Sequence, residues 1–278
     1  MSTIVFAGTA QSKILGICKF DTVRLSFPGT PQDQAKCVLR SVKFQGNLGP
    51  VLTELPENLK ATIGTSFNFS TAKLRALLAG FGIAESDIGG SIDLRLSRAN
   101  NNDPAAPQAR YFVIHDTSQN QVNKPFPPDD STSLNSFEQF KAEKAAHLFN
   151  NRQTAMAGNL YSPHTFATPW RATRLERKTG VASKGLFIHV ENIQPRRRNP
   201  ANPHPENDNF APDPGFTEGQ YTRLALAYVV ASKRAGTWMI PAFHAVLDTG
   251  IGDHDDPQNF DLEKFDSELG KLIAALSL

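Results

Sequence analysis

The chain has 278 residues, of which 40% are hydrophobic and 20% charged, and its formal net charge is +2. That length accommodates one large domain or two ordinary ones, with a composition typical of soluble globular proteins. The charge is too small to argue for a nucleic-acid partner. No apolar run approaches the ~20 residues that cross a bilayer. The start, Met1-Ser-Thr-Ile-Val-Phe, carries no basic residue and only a short apolar stretch, so a usual secretory signal is not expected. Cys18 and Cys37 lie outside any C-x-x-C motif. Buried free thiols are the expected state and a single disulfide the alternative, because sequence does not give their separation in space.

Residues 1–98 read as a small β-rich module. Ile14–Phe20, Thr22–Phe27, Val38–Phe44 and Ser91–Ser97 are strand candidates, and Val23, Leu25 and Phe27 alternate with polar neighbours. Ser70 stands at the N-cap of a short helix that ends near Gly80. No histidine falls in this part, so binding, targeting or delivery is its default role. The polar, proline-bearing segment 99–109 is the best candidate for a linker.

From residue 110 onward, strands alternate with helices. Arg110 to Ile114 reads as a buried strand that delivers His115. A long proline-bearing loop follows over 117–136, of a kind that often lies over a site. Ser136 caps a predicted helix through about Phe149. Gly185 to Asn192 is a second core strand, with Leu186, Ile188 and Val190 on one face and Phe187, His189 and Glu191 on the other. The Arg196-Arg197-Arg198 run opens a proline- and asparagine-rich loop to Pro214 and reads as solvated surface, with a binding role as the alternative. Thr217 and Gln220 have capping-box spacing at the start of the longest helix, and Gly236 ends it. Met239 to Phe243 leads to His244, a polar loop follows, and Asp261 to about Leu276 closes the chain as a helix. The expected class is α/β, a mixed central sheet covered by helices, with a smaller β-rich N-terminal domain.

His115, His244 and Asp256 suit a metal. A catalytic zinc takes three protein ligands from histidine nitrogen and carboxylate oxygen, and keeps a fourth position open. Strand ends and restrained loops hold such geometry; His115 ends an apolar run, and Asp256 precedes Pro257, which limits its backbone. Each residue also has a plainer reading. Either histidine can be a core-edge residue bonded to a neighbour, and Gly252–Pro257 can be an acidic turn or a calcium-prone loop.

Several landmarks occur together in order. Phe112-Val-Ile-His115-Asp-Thr, Ala146-His147, Phe187-Ile-His-Val-Glu-Asn192, Phe216-Thr-Glu-Gly-Gln-Tyr221, His244 and Asp256-Pro-Gln-Asn-Phe260 follow one another, with 11 residues between His244 and Asp256, inside a region that makes up about 60% of the chain. This region, about 108–275, resembles the zinc-dependent N-acetylmuramoyl-L-alanine amidases, a family that includes amidase-type phage lysozymes and peptidoglycan recognition proteins. The resemblance implies an amidase domain over 110–278, with Zn2+ held by His115, His244 and Asp256. Its implied reaction is hydrolysis of the amide between N-acetylmuramic acid and L-alanine in peptidoglycan. Two positions depart from the family pattern. His189 stands where the family has a glutamate acid/base, which makes His189, or Glu191 under a shifted register, the expected proton shuttle. His254 stands where the family has a lysine, and is expected to stabilise the oxyanion. Phe243 replaces the glycine before the second ligand, and His164 is the nearest match to a middle Trp-His segment. The alternative is a non-catalytic muropeptide-binding module of the same fold. A wall hydrolase without a usual signal implies release at lysis or export by a contact-dependent secretion system, and in the second case an immunity protein.

Overall fold

The computed structural model describes residues 12–120, 125–198 and 210–278. Among the described residues, nine strands form three sheets: β1 (Ile14–Leu15), β2 (Phe20–Asp21), β3 (Tyr111–Asp116), β4 (Gln119–Asn120), β5 (Leu148–Asn150), β6 (Leu160–Tyr161), β7 (Phe187–Asn192), β8 (Pro195–Arg196) and β9 (Ile240–Phe243). The main sheet has the order β6-β5-β7-β3-β9. Its β5, β7, β3 and β9 are parallel and β6 is antiparallel at the edge. The class is therefore α/β with a mixed sheet, as the alternation of elements implies. The β3 residues are buried along its whole length, as expected of a central parallel strand covered on both faces.

Helix Glu218–Ala235 carries the Thr217–Gln220 capping box and ends at Gly236 in the left-handed region. It packs beside helix Leu262–Ser277, whose N-cap Asp261 accepts a hydrogen bond from the Lys264 N–H. Tyr228 and Phe265 meet between them with ring centroids 5.8 Å apart. Among the described residues, no helix is long and apolar enough to cross a membrane.

Before residue 98 the alternation is largely overridden. Among the described residues there, only the two short strands β1 and β2 form, while Pro31–Val38, Glu57–Thr62 and Thr71–Gly80 are helices. Val38, predicted to start a strand, ends a helix instead. The cause is local: Thr30 and Asp33 make a capping box with Pro31 in the first turn, which fixes a helix start. The Thr22–Phe27 run turns back on itself with Leu25 at a φ of 53°, leaving Val23 exposed. Helix Thr71–Gly80 begins at Ser70 as predicted.

Residues 12–98 share one apolar core with the main sheet. The Phe27 ring meets Tyr111 edge-on at 5.3 Å, and the Tyr111 hydroxyl donates to Gln34 Oε1 at 2.8 Å. Cys18 and Cys37 are joined as a disulfide. This corrects the expectation of free thiols: a turn after β1 brings Cys18 onto helix Pro31–Val38, a proximity set by tertiary packing.

Two further expectations are corrected. The segment predicted as one helix from Ser136 forms a short helix, Glu138–Glu143, and then the sheet strand β5. Pairing of Leu148–Asn150 with β7 outweighs the local helical pattern. The Arg196–Pro214 loop lies partly outside the described residues, but Arg196 itself is fully buried in β8, paired with Asp116 and Asp255 at 2.7 and 2.9 Å. Arg197 is exposed and stacks over Phe126.

Candidate metal centre

The register of three neighbouring strands builds the site. His115 in β3 pairs with Glu191 in β7, and Ile114 pairs with Phe243 at the end of β9. One step beyond that pair, His244 emerges beside His115, and the two rings lie 4.3 Å apart. All three side chains leave the carboxyl ends of parallel strands, where open α/β sheets place their ligand sites. Where a polar loop was expected directly after His244, the chain first makes a helical turn, His244–Asp248. The 249–261 loop then returns Asp256, whose carbonyl accepts from the Ala245 N–H at 2.8 Å. The Asp116 N–H donates to Asp256 Oδ2 at 3.3 Å.

His115 Nδ1 and His244 Nδ1 both face Asp256 Oδ2, at 3.6 and 2.9 Å. One ligand atom from each of the three residues lies within 4.8 Å of the others, and all three residues are buried. Tetrahedral zinc, with bonds of about 2.1 Å, separates its donors by about 3.4 Å, so the two measured spacings bracket what such an ion needs. These residues can hold a metal ion.

The electrostatics prepare His115 for that use, while His244 must release a proton on taking up an ion. Burial, with repulsion from His244, pushes His115 down to about 3, despite Asp256. It is therefore the neutral imidazole that metals require. Burial also acts against charge on His244, but Asp256 and Asp248 outweigh it and raise the ring to about 10. Burial opposes ionisation of Asp256 as well, yet the histidines hold it well below the ordinary carboxylate range. Two imidazoles turned on one buried carboxylate make a set that a divalent cation would satisfy.

A second group, His244, Asp248 and His254, is also close enough to hold an ion. Its carboxylate is already engaged. Asp248 Oδ2 already accepts the Arg174 N–H at 2.8 Å and faces His244 Nε2 at 3.0 Å and His254 Nδ1 at 2.7 Å. The His244 and His254 rings stack at 4.0 Å and 29°, so their in-plane lone pairs run side by side rather than converge.

The remaining predicted residues separate by position. Glu191 reaches the site, with Oε1 3.8 Å from His115 Nδ1. Its Oε2 is buried with no hydrogen-bond partner among the described residues, and burial, reinforced by Asp256, raises its proton affinity well above the ordinary range. His189 shares that face of β7 but sits behind His115: its Nδ1 is 3.0 Å from His115 Nε2, and its Nε2 is 3.1 Å from Glu176. His254 stands at the rim, about one-third exposed. His147 is buried between the His189 N–H and the Thr168 carbonyl, and His164 lies against Trp170; neither joins the group. Sequence reasoning missed Glu176 and Asp248. Their signals were the Thr173–Glu176 capping-box spacing and the i, i+4 placement of Asp248 after His244 on one helical face.

No family model, curated protein or solved structure matches the chain. The geometry of these residues therefore carries the functional reading.

Proposed function

We propose that the chain is a zinc-dependent hydrolase of peptidoglycan that cleaves the amide between N-acetylmuramic acid and L-alanine. The observation that carries this reading is the convergence of His115, His244 and Asp256 at the ends of neighbouring elements, with Glu191 beside them. The ordered landmarks shared with the amidase family supply the substrate class.

The donor set of two imidazoles and one carboxylate fits zinc, and bound zinc supplies Lewis acidity that activates water and polarises an amide carbonyl. The chain's own groups do the rest. Glu191, with a raised proton affinity and one unpartnered oxygen, takes the proton from the attacking water and delivers it to the leaving nitrogen. That transfer balances the reaction: one C–O bond forms, the C–N bond breaks, and the amine leaves neutral. This role passes from His189 to Glu191 because His189 is buried behind His115 with both ring nitrogens engaged. His254, anchored on Asp248 at the rim, is placed to donate toward negative charge developing on the carbonyl oxygen. Retention of all three ligand positions together with Glu191 favours hydrolysis over a binding-only module.

The Cys18–Cys37 disulfide supports action in an oxidising compartment, the periplasm or the cell exterior. Release at lysis, or export by a contact-dependent secretion system with a cognate immunity protein, would bring the chain to its substrate there. In the test, purified chain supplied with zinc is incubated with peptidoglycan, and the free L-alanine-terminated peptides are measured. The expected result is release by the wild type and none by His115→Ala. Release that persists in His115→Ala rules out the metal mechanism.

A further inference from the structure

Both candidate ligand histidines turn Nδ1 toward Asp256, and in each the opposite nitrogen is committed elsewhere. His244 Nε2 meets Asp248 directly at 3.0 Å. His115 Nε2 meets His189 Nδ1 at 3.0 Å, and His189 Nε2 meets Glu176 Oε2 at 3.1 Å. His189 and Glu176 are fully buried, so no water competes for these contacts.

The direction of the hydrogen bonds follows from the far end. Glu176 Oε2 is held by the N–H groups of Ala172 and Thr173 and by the Thr173 hydroxyl, at 3.2, 3.1 and 3.0 Å. A carboxylate in that setting only accepts, so His189 Nε2 donates to it. With its donor spent on Glu176, His189 offers Nδ1 as the acceptor for His115 Nε2–H. His115 is left with its lone pair on Nδ1, the atom that faces Asp256 and His244. The His189 main chain supports this arrangement, since its N–H donates to His147 Nδ1 at 3.0 Å. Asp248, fixed by the N–H groups of Arg174 and Leu175 at 2.8 and 2.9 Å, sets His244 in the same sense.

We propose that Glu176 and His189 are positioning residues that lock His115 in the Nε2–H tautomer and so prepare its Nδ1 for the metal. This rests on the metal-site reading above. It explains a histidine at position 189 without giving it contact with substrate. Outer partners of this kind change metal affinity by about 10–100-fold when removed.

The test measures zinc affinity by competition with a chromophoric chelator and reads tautomers from long-range 1H–15N spectra of histidine-labelled protein. The spectra of wild type are expected to show His115 and His189 each protonated on Nε2. Glu176→Gln and His189→Leu are expected to weaken zinc binding about 10–100-fold. His189→Asn, whose side-chain carbonyl can stand in for Nδ1 as acceptor, is expected to restore most of it. Wild-type zinc affinity in both Glu176→Gln and His189→Leu, or a His115 protonated on Nδ1 in the metal-free wild type, overturns the proposal. Failure of the wild type to bind zinc overturns the metal site itself, a different outcome. If His189→Leu does not fold, Glu176→Gln and the wild-type spectra still decide.

Discussion

Arg196 is the strongest internal test of how the loop that carries Asp256 is held. Its guanidinium is fully buried, with one nitrogen on both Asp116 oxygens at 2.9 and 2.7 Å and another on Asp255 at 2.9 Å. Asp116 in turn accepts the Gln258 N–H at 3.1 Å, so Arg196 and its two carboxylate partners tie β3 to both sides of Asp256. Arg196→Met keeps the bulk and removes the charge. Breaking a buried pair from one side costs about 3–5 kcal/mol, because the stranded carboxylate has lost water and gained nothing. At about 2 °C per kcal/mol for a chain this large, Tm falls by about 6–10 °C.

The deficit should depend on pH with a definite sign. Burial raises Asp116 to about 6 although Arg196 pulls it down. Without Arg196 it rises further, so the folded variant binds more proton than the folded wild type between those two values. Stability that requires this extra proton is present at low pH and lost as pH rises. The gap between variant and wild type therefore narrows from pH 7 to pH 5. Thermal unfolding followed by circular dichroism at both values checks this. A Tm within 2 °C of wild type at pH 7, or a gap that does not change with pH, refutes the reasoning.

Two other outcomes are expected. Replacing both Cys18 and Cys37 by serine opens a cross-link with a sequence separation of 19 residues, worth about 3 kcal/mol by the chain-entropy relation, so Tm should drop by about 6 °C; reductant should do the same to the wild type and nothing to the variant. Glu191→Gln should lower the rate of peptide release by about 10²–10⁴-fold while zinc affinity stays within a few-fold, measured by release assay and chelator competition on the same preparation.

Much of this architecture was legible because it rests on strong local patterns. The apolar run before His115 and the strand over Gly185–Asn192 could only be central sheet strands, and the capping box at Thr217–Gln220 fixed the longest helix. His115, His244 and Asp256 were chosen from chemistry and order, and the strand register brings them together. What escaped depends on long-range packing. Arg196 looks like surface in a run of three arginines; only the fold supplies Asp116 and Asp255 to take it inside. The role assigned to His189 shifted because alternation gives the face of a strand but not the depth along it: His189 and Glu191 share a face, and only Glu191 lies level with His115. In the N-terminal part, the Ser70 cap was legible, whereas the alternation beginning at Val38 competed with the helix capped at Thr30, and the cap prevailed.

The most direct measurement is a calorimetric titration of zinc into the purified, metal-free chain and into its His115→Ala and Asp256→Ala variants. The account predicts one equivalent of tightly bound zinc in the wild type and loss of that site in each variant. No binding by the wild type, or one equivalent bound equally well by the variants, contradicts it.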